Sequence, residues 1–259
     1  MFTPPKENSQ MLSELLRVID DGIVGKRAEQ PRRQYLGASR IGEACWRMLA
    51  YDYHGIPKDA DAGFDGKTLR IFDMGHDGEA RMAEYLRLAG FNLQTHKDDG
   101  KQIGISDCDG KFKGHLDGVL HGGPAIPGLK YPALWENKEL GDKNWKDFQK
   151  NGLEDSKPVY YAQVQIYMGY YELENTLFTA KNKNTCEIHA EIVPFDAGKC
   201  QPLIEKAARI TSSTNPEEFG RLGREPSDFV CKFCDYRMRC WGLVEPKPAS
   251  ETDKPAWRK

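Results

Sequence analysis

Two short runs, GHLDGVL at 114–120 and LWENKEL at 134–140, bring together the residue types of a metal-assisted hydrolase. Asp117 falls in the middle of an expected strand, with glycine after it and three residues before it. Glu136 and Lys138 stand two apart in the next expected strand, and a strand period of two sends their side chains out of one face. The Asn137 side chain points the other way, but its backbone carbonyl can reach the same gap. Two carboxylates and a carbonyl are hard oxygen ligands suited to Mg²⁺ or Mn²⁺. A metal so held acidifies a bound water and neutralises charge on a scissile phosphate. The Lys138 ammonium then holds the attacking water or stabilises the pentacovalent charge. Alone, WENKE reads better as a charged edge strand and turn; GHLDG just upstream reverses that preference.

Thiols form a second group. CKFCDYRMRC, 231–240, places Cys231, Cys234 and Cys240 in the spacing C-x2-C-x5-C. Thiolate metal sites usually take four ligands, so a fourth is expected elsewhere. The chain opens on MFTPPKENSQ, which lacks the basic-then-apolar layout of a signal peptide. The expectation is an intracellular, cytoplasmic chain, in which seven cysteines argue for metal or redox use rather than disulfides. Cys108, Cys186 and Cys200 show no ligand spacing.

The elements that must position these groups follow from periodicity. At 259 residues the chain can bury one large core, no apolar run reaches bilayer length, and no membrane partner is expected. A net charge of −2 gives no global basic signature, so any nucleic-acid contact must be a local patch. Met11, Leu12, Leu15, Leu16 and Ile19 share a helical face, and Gly22, Gly25, Pro31 and Arg32–Arg33 read as an exposed linker. Ser39 suits an N-cap for a helix through SRIGEACWRMLAYDY. A long helix is expected through TLRIFDMGHDGEARMAEYLRLAG, stopped by Gly90. Strands are expected at FNLQTHK, KQIGISD, FKGHLDGVLHG and ALWENKEL, then a short helix at NWKDFQKNG. Pro158 opens the helix PVYYAQVQIYMGYYEL. TLFTAKN and CEIHAEIVPF, the latter alternating Ile188, Ala190 and Ile192, are further strands, followed by a helix from about 196 to 211. DAGFDGKT, 61–68, imitates a phosphate-binding loop but has Asp61 where the first glycine belongs and no strand leading in, so it reads as a surface turn.

In this order the motifs resemble the PD-(D/E)XK nuclease superfamily, in its RecB-like branch. That family carries an Asp on one strand and E-x-K on the next, as Asp117 and Glu136-x-Lys138 do here. Upstream it carries a helical Gly-x3-His or Gly-x3-Glu that adds a metal or water ligand; Gly75-x3-Glu79 fits, with His76 as a second candidate. Downstream a helix carries Gln-x3-Tyr, matched by Gln163 and Tyr167, which the resemblance assigns to holding DNA near the site. One residue departs: the position between acid and lysine is usually apolar in relatives, and here it is Asn137.

The same branch includes AddB-type nuclease subunits and CRISPR-adaptation exonucleases, which bear a [4Fe–4S] cluster on one cysteine before the core and three after it. The resemblance therefore implies Cys45, in the expected helix SRIGEACWRMLAYDY and followed by basic Arg47, as partner of Cys231, Cys234 and Cys240. Zinc is the competing occupant. The implied fold is an α/β restriction-endonuclease-like mixed sheet flanked by helices. The expected organisation is an N-terminal helix and linker (1–38), a nuclease domain with its iron–sulfur clip (39–242) and a disordered tail (243–259). The implied activity is Mg²⁺- or Mn²⁺-dependent DNA exonuclease action, on single strands by preference, in phage or bacterial recombination, repair or degradation, alone or with a helicase or recombination partner. The alternative is a non-catalytic iron–sulfur DNA-binding or adaptor protein. Arg40, Arg47, Lys111, Lys113, Lys143 and Lys146, the last two around Trp145, are the basic candidates for DNA contact, Arg47 and Lys113 foremost.

Overall fold

The computed structural model describes residues 6–60 and 62–243. The expected tail at 244–259 and Asp61 lie outside the described residues. In chain order the first elements are α1 (Lys6–Ala28), β1 (Leu36–Gly37), a 3₁₀ turn (Ala38–Arg40), α2 (Trp46–His54), α3 (Gly66–Leu88) and β2 (Asn92–Gln94). Then come β3 (Gly104–Asp107), β4 (Phe112–His115), β5 (Gly118–Gly122), β6 (Ala133–Leu140), α4 (Asp142–Ser156) and α5 (Pro158–Tyr171). The chain continues through β7 (Asn175–Asn182), β8 (Ile188–Pro194), α6 (Ala197–Ser212), a 3₁₀ turn (Pro216–Glu218), α7 (Phe229–Lys232) and α8 (Arg237–Trp241).

The architecture is mixed α/β. One sheet has the order β2-β5-β6-β7-β8 and a smaller one β1-β4-β3. β6 and β7 run parallel with Glu136 opposite Phe178, while β5 and β8 join them antiparallel. A parallel neighbour requires a crossover, and α4 with α5 supplies it. Both faces of the large sheet are covered. On one, Met82 and Leu86 of α3 pack with Leu120, Trp135 and Leu177. On the other, Phe148 of α4 and Val164, Ile166 and Met168 of α5 share a core with Leu134, Phe178, and Leu49 of α2. Burial on both faces explains why β6 and β7 read as nearly unbroken buried runs.

Several expected elements differ. The single strand expected across 112–122 is two: β4 belongs to the small sheet and β5 to the large one, with Leu116 and Asp117 between them. Asp117 is therefore at a strand break, not mid-strand. The helix expected from Ser39 is a 3₁₀ turn, then an irregular stretch, and Cys45 is the N-cap of α2 rather than a residue within a helix. The cause is a buried amine: Lys206 Nζ donates to the carbonyls of Ile41 at 2.8 Å and Glu43 at 2.5 Å, which diverts them from a helical ladder. The expected linker at Gly22 and Gly25 is helical, because α1 runs on to Ala28. The expected short helix at 144–152 extends to Ser156 through a kink at Gly152, where φ is +73°. In β8 the alternation is real but reversed, with Ile188 53% exposed and Val193 buried. The phosphate-loop imitation is the start of α3, whose N-cap Asp65 accepts the Thr68 amide at 2.7 Å. Among the described residues no helix is long and apolar enough to cross a membrane.

Candidate active site

The site exists because the β5–β6 ladder stops. Its last pair is Gly118 with Trp135, after which the chain leaves for the small sheet and the edge of β6 at 136–138 is left open. The Asp117 carboxylate takes the place of the missing strand: its Oδ2 accepts the Asn137 amide at 2.8 Å. Strand alternation turns Glu136 and Lys138 toward α5 and Asn137 the other way, where its Oδ1 accepts from Thr179 Oγ1 at 2.9 Å. Asn137 is buried despite its polarity. Thr179 partners the Asn137 Oδ1 inside the sheet, while the Asn137 Nδ2 is buried without a hydrogen-bond partner.

Lys138 Nζ donates to Glu136 Oε1 and, at 3.0 Å, to the Asn137 carbonyl, and stands 4.0 Å from Asp117 Oδ2. The ammonium thus lies among the three oxygen donors that the sequence offers a metal. That arrangement accounts for one finding: among the described residues no group of three or more His, Cys, Asp or Glu side chains closes into metal-holding geometry. Glu136 Oε2 is buried with no hydrogen-bond partner. A buried acceptor without a partner is costly and calls for a cation or a proton.

α3 supplies the third acid. Glu79 is half-buried, and burial, then the negative charge of Asp117, pushes its pKa up to about 7. Burial also raises Asp117, against the pull of Lys138 and the Asn137 amide. Glu136 is raised to about 8 by burial and then by Asp117. Burial alone would lower Lys138, but Glu136 and Asp117 outweigh it and hold the ammonium charged. His76, one turn before Glu79, is exposed on the same wall, close enough for its charge to favour ionised Asp117.

These groups line a cleft of about 940 Å³ whose other wall is cationic. Lys26 and Arg27 reach it from the last turn of α1, and Arg33 from the following loop. Tyr160 lines it too, its ring centroid 5.3 Å from Lys138 Nζ. Sequence reasoning missed Lys26, Arg27 and Arg33 because a region that reads as a linker offers no partner for its charges, and Tyr160 because helical spacing does not show which aromatic of α5 reaches the cleft. The one available signal was the density of basic residues at 26–33.

Gln163 and Tyr167 do share the site-facing side of α5, but both are buried, at 4% and 1% exposure, and cannot lie against DNA. Gln163 Nε2 donates to Glu136 Oε1 at 2.6 Å. The Tyr167 ring lies under Gly114, where a Cβ would stand 2.6 Å from it, so β4 can pass only as glycine. The expected DNA contacts are supports of the acid cluster instead.

Cys45, Cys231, Cys234 and Cys240 line one small cavity of about 20 Å³ between α2 and the last two helices, with Tyr51, Tyr236 and Trp241. Burial raises the Cys234 thiol to about 11, and the charges of Cys45 and Cys240 act in the same direction. Cys108, Cys186 and Cys200 do not line it. Arg47 is committed here and not to DNA: Nε donates to the Phe219 carbonyl at 2.6 Å, Nη2 to the Glu217 carbonyl at 2.7 Å, and Nη1 lies 4.0 Å from Cys240 Sγ. Arg40 pairs with Asp52 at 2.9 Å. Trp145 is a core residue that donates to the Ala180 carbonyl, and Lys146 pairs with Asp142, so neither forms the expected stacking patch. Lys113 remains partly exposed on the small sheet.

No family model matches the chain, and no curated protein matches it in sequence. Its trace is similar to that of an alkaline exonuclease (LHK-Exo) from Laribacter hongkongensis, at 14% identity and a TM-score of 0.47, over 69% of this chain and 87% of that one. The structure of LHK-Exo in complex with dAMP gives 15% identity and a TM-score of 0.46 over the same shares. A protein named SSO0001 gives 14% and 0.47 over 91% of this chain and 96% of its own. Likeness this distant bears on the chain trace alone, and the chemistry is read from the residues of this chain.

Proposed function

We propose that the protein is a metal-dependent DNA nuclease of the PD-(D/E)XK type that its motifs resemble, acting as an exonuclease with single strands preferred. One observation carries this reading: Glu79, Asp117 and Glu136 are held together against a single ammonium, with Glu136 Oε2 buried and unpartnered. Ionising three carboxylates beside one lysine in a low-dielectric site is costly, which is why their pKa values rise, and a divalent cation that takes the place of their protons relieves that cost. Asp117, Glu136, the Asn137 carbonyl and Glu79 would hold Mg²⁺ or Mn²⁺, with His76 the other candidate on α3. The bound ion would acidify a water and offset charge on the scissile phosphate. Lys138, kept protonated by its neighbours, stabilises the charge that builds on the phosphoryl oxygens. Gln163 fixes the Glu136 carboxylate, and Tyr167 fills the space behind it. Lys26, Arg27 and Arg33 face the acid floor and suit a polyanion.

The four cysteines at one cavity support a [4Fe–4S] cluster that joins the chain's two ends across the nuclease core. Their number suits it, and zinc on the same four thiols is the competing occupant. A role in bacterial or phage recombination, repair or degradation, in the cytoplasm and with or without a helicase or recombination partner, follows from the resemblance.

Protein purified without air is assayed for iron, sulfide and zinc, then given Mn²⁺ and end-labelled linear or circular DNA, single-stranded and duplex. The expected result is roughly four irons per chain and stepwise loss of nucleotides from linear single strands, with circles resistant. Zinc in place of iron would overturn the cluster, and cleavage of circles would overturn the exonuclease assignment.

A further inference from the structure

We propose that a cationic seat on the small sheet, built by Arg33, Tyr35 and Lys113, holds the phosphodiester backbone of a DNA strand beside the catalytic cleft and passes it into a groove behind. The choice of a DNA strand as ligand rests on the nuclease reading above.

The parallel pairing of β1 and β4 sets Gly37 opposite Lys113 and so brings the 33–35 loop beside β4. Arg33 Cζ stands 5.0 Å from the Tyr35 ring centroid, and Lys113 Nζ 5.5 Å from the same centroid. One ring thus gathers two cations. Among the described residues neither Arg33 nor Lys113 forms an ion pair with a carboxylate. Like charges gathered without a counter-charge raise each other's energy, and a bound anion removes the strain.

Position selects a strand over a free ion. Arg33 lines the catalytic cleft together with Glu79 and Lys138. It also lines a second groove, of about 500 Å³, with Arg32, Lys111 and the hydroxyl-rich run 211–214. His54 lines that groove too, and its Nε2 is buried without a hydrogen-bond partner. Arg33 is the residue shared by the two spaces, so a backbone whose scissile phosphate meets the acid cluster can cross the seat and continue into the groove. A strand held there stays on the enzyme after each cut.

The test measures binding apart from cleavage. In a Lys138→Ala background, Arg33→Gln combined with Lys113→Gln is compared with Lys101→Gln, an exposed control paired only with Asp99. Fluorescent oligothymidylates of increasing length are titrated by anisotropy across a salt series. For long strands the double variant should bind roughly tenfold more weakly, with the slope of log K against log salt reduced by about 0.7 for each lost phosphate contact. With Lys113→Gln alone, which lies outside the cleft lining, the shortest oligonucleotides, which fill only the cleft, should bind unchanged. Unaltered affinity and salt slope at every length would overturn the seat. Displacement by inorganic phosphate with no dependence on strand length would make it an ion pocket rather than a strand path. Melting curves and iron content verify the fold, and Lys113→Gln alone reads the seat if the Arg33 change disturbs the loop. Wild-type protein that fails to cleave DNA while the length-dependent loss persists would sink the nuclease reading and leave the seat standing. Normal cleavage with unchanged binding would do the reverse.

Discussion

Lys138 carries its charge because of its neighbours, and the neighbours keep high pKa values because of one another. This reciprocity fixes a pH dependence for the metal-free protein. Glu79 near 7 and Glu136 near 8 in the folded state compare with 4.5 for a free glutamate. Between those limits the folded chain binds more protons than the unfolded one, so stability falls as pH rises through the window. Urea unfolding in chelator at about pH 5, 6.5 and 8.5 should show a steady loss, and Mg²⁺ should restore most of it at the highest pH by replacing the protons. A flat or rising profile would contradict the clustered acids. Gln163 gives a second prediction, because it touches Glu136 and not the cleft's contents. Gln163→Ala should lower kcat by about 10–100-fold with KM little changed; a rise in KM alone would return it to DNA contact. That Glu136 and Lys138 share a face was legible in the sequence because strand alternation is local, whereas Asp117 was named through the resemblance and stands at a strand break. The support role of Gln163 was not, since spacing shows which side of a helix a residue occupies and not how deep it lies. Arg33 was missed for a related reason: its partners, Tyr35 and Lys113, come together only through the pairing of two distant strands.

α3 approaches β6 so closely that Gly78 has no room to be anything else. A Cβ there would stand 2.3 Å from the Glu139 side chain, whose Oε1 accepts from Lys181 at 3.1 Å. Gly78→Ala should therefore cost about 1–3 kcal/mol and, by pushing α3 away, carry Glu79 off the acid cluster and lower activity with it. At Gly75, one turn earlier, a Cβ would meet nothing within 4 Å, so Gly75→Ala should be neutral or up to about 1 kcal/mol stabilising. Thermal melts of the two variants decide this, and equal effects would show that α3 is not the rigid wall described. The long helices and central strands were legible because their periodicity is strong. The break at Leu116–Asp117 was not, because the run FKGHLDGVLHG reads as one strand and only the choice between two sheets divides it. The interruption before Cys45 was hidden as well, since it depends on Lys206, which lies 161 positions later in the chain.

The segment from α2 to residue 59 meets the 217–241 segment through polar contacts as well as the aromatic pairs Trp46–Phe219 and Tyr51–Tyr236. Arg47 reaches the carbonyls of Glu217 and Phe219, Lys58 pairs with Asp235 at 2.5 Å, and Asp59 Oδ2 accepts the Met238 amide at 2.8 Å. Phe229 and Phe233, between these anchors, are 83% and 74% exposed. With the proposed cluster bound, ligation would add to this hold. Cys45→Ser should remove iron and open 217–243 to limited proteolysis while the 66–212 core stays folded; protection equal to wild type would place the hold elsewhere. The meeting of Cys45 with Cys231, Cys234 and Cys240 at one cavity was legible through the resemblance, since three of the four lie within one short run. The measurement that tests the central claim most directly is DNA cleavage in Mn²⁺ by iron-replete wild type beside Lys138→Ala, with DNA affinity measured for both. The prediction is a fall in single-turnover rate of about 10²–10³-fold with affinity within a few-fold of wild type. Equal rates in the two proteins, or no cleavage by either, would contradict a nuclease built on this lysine and its three carboxylates.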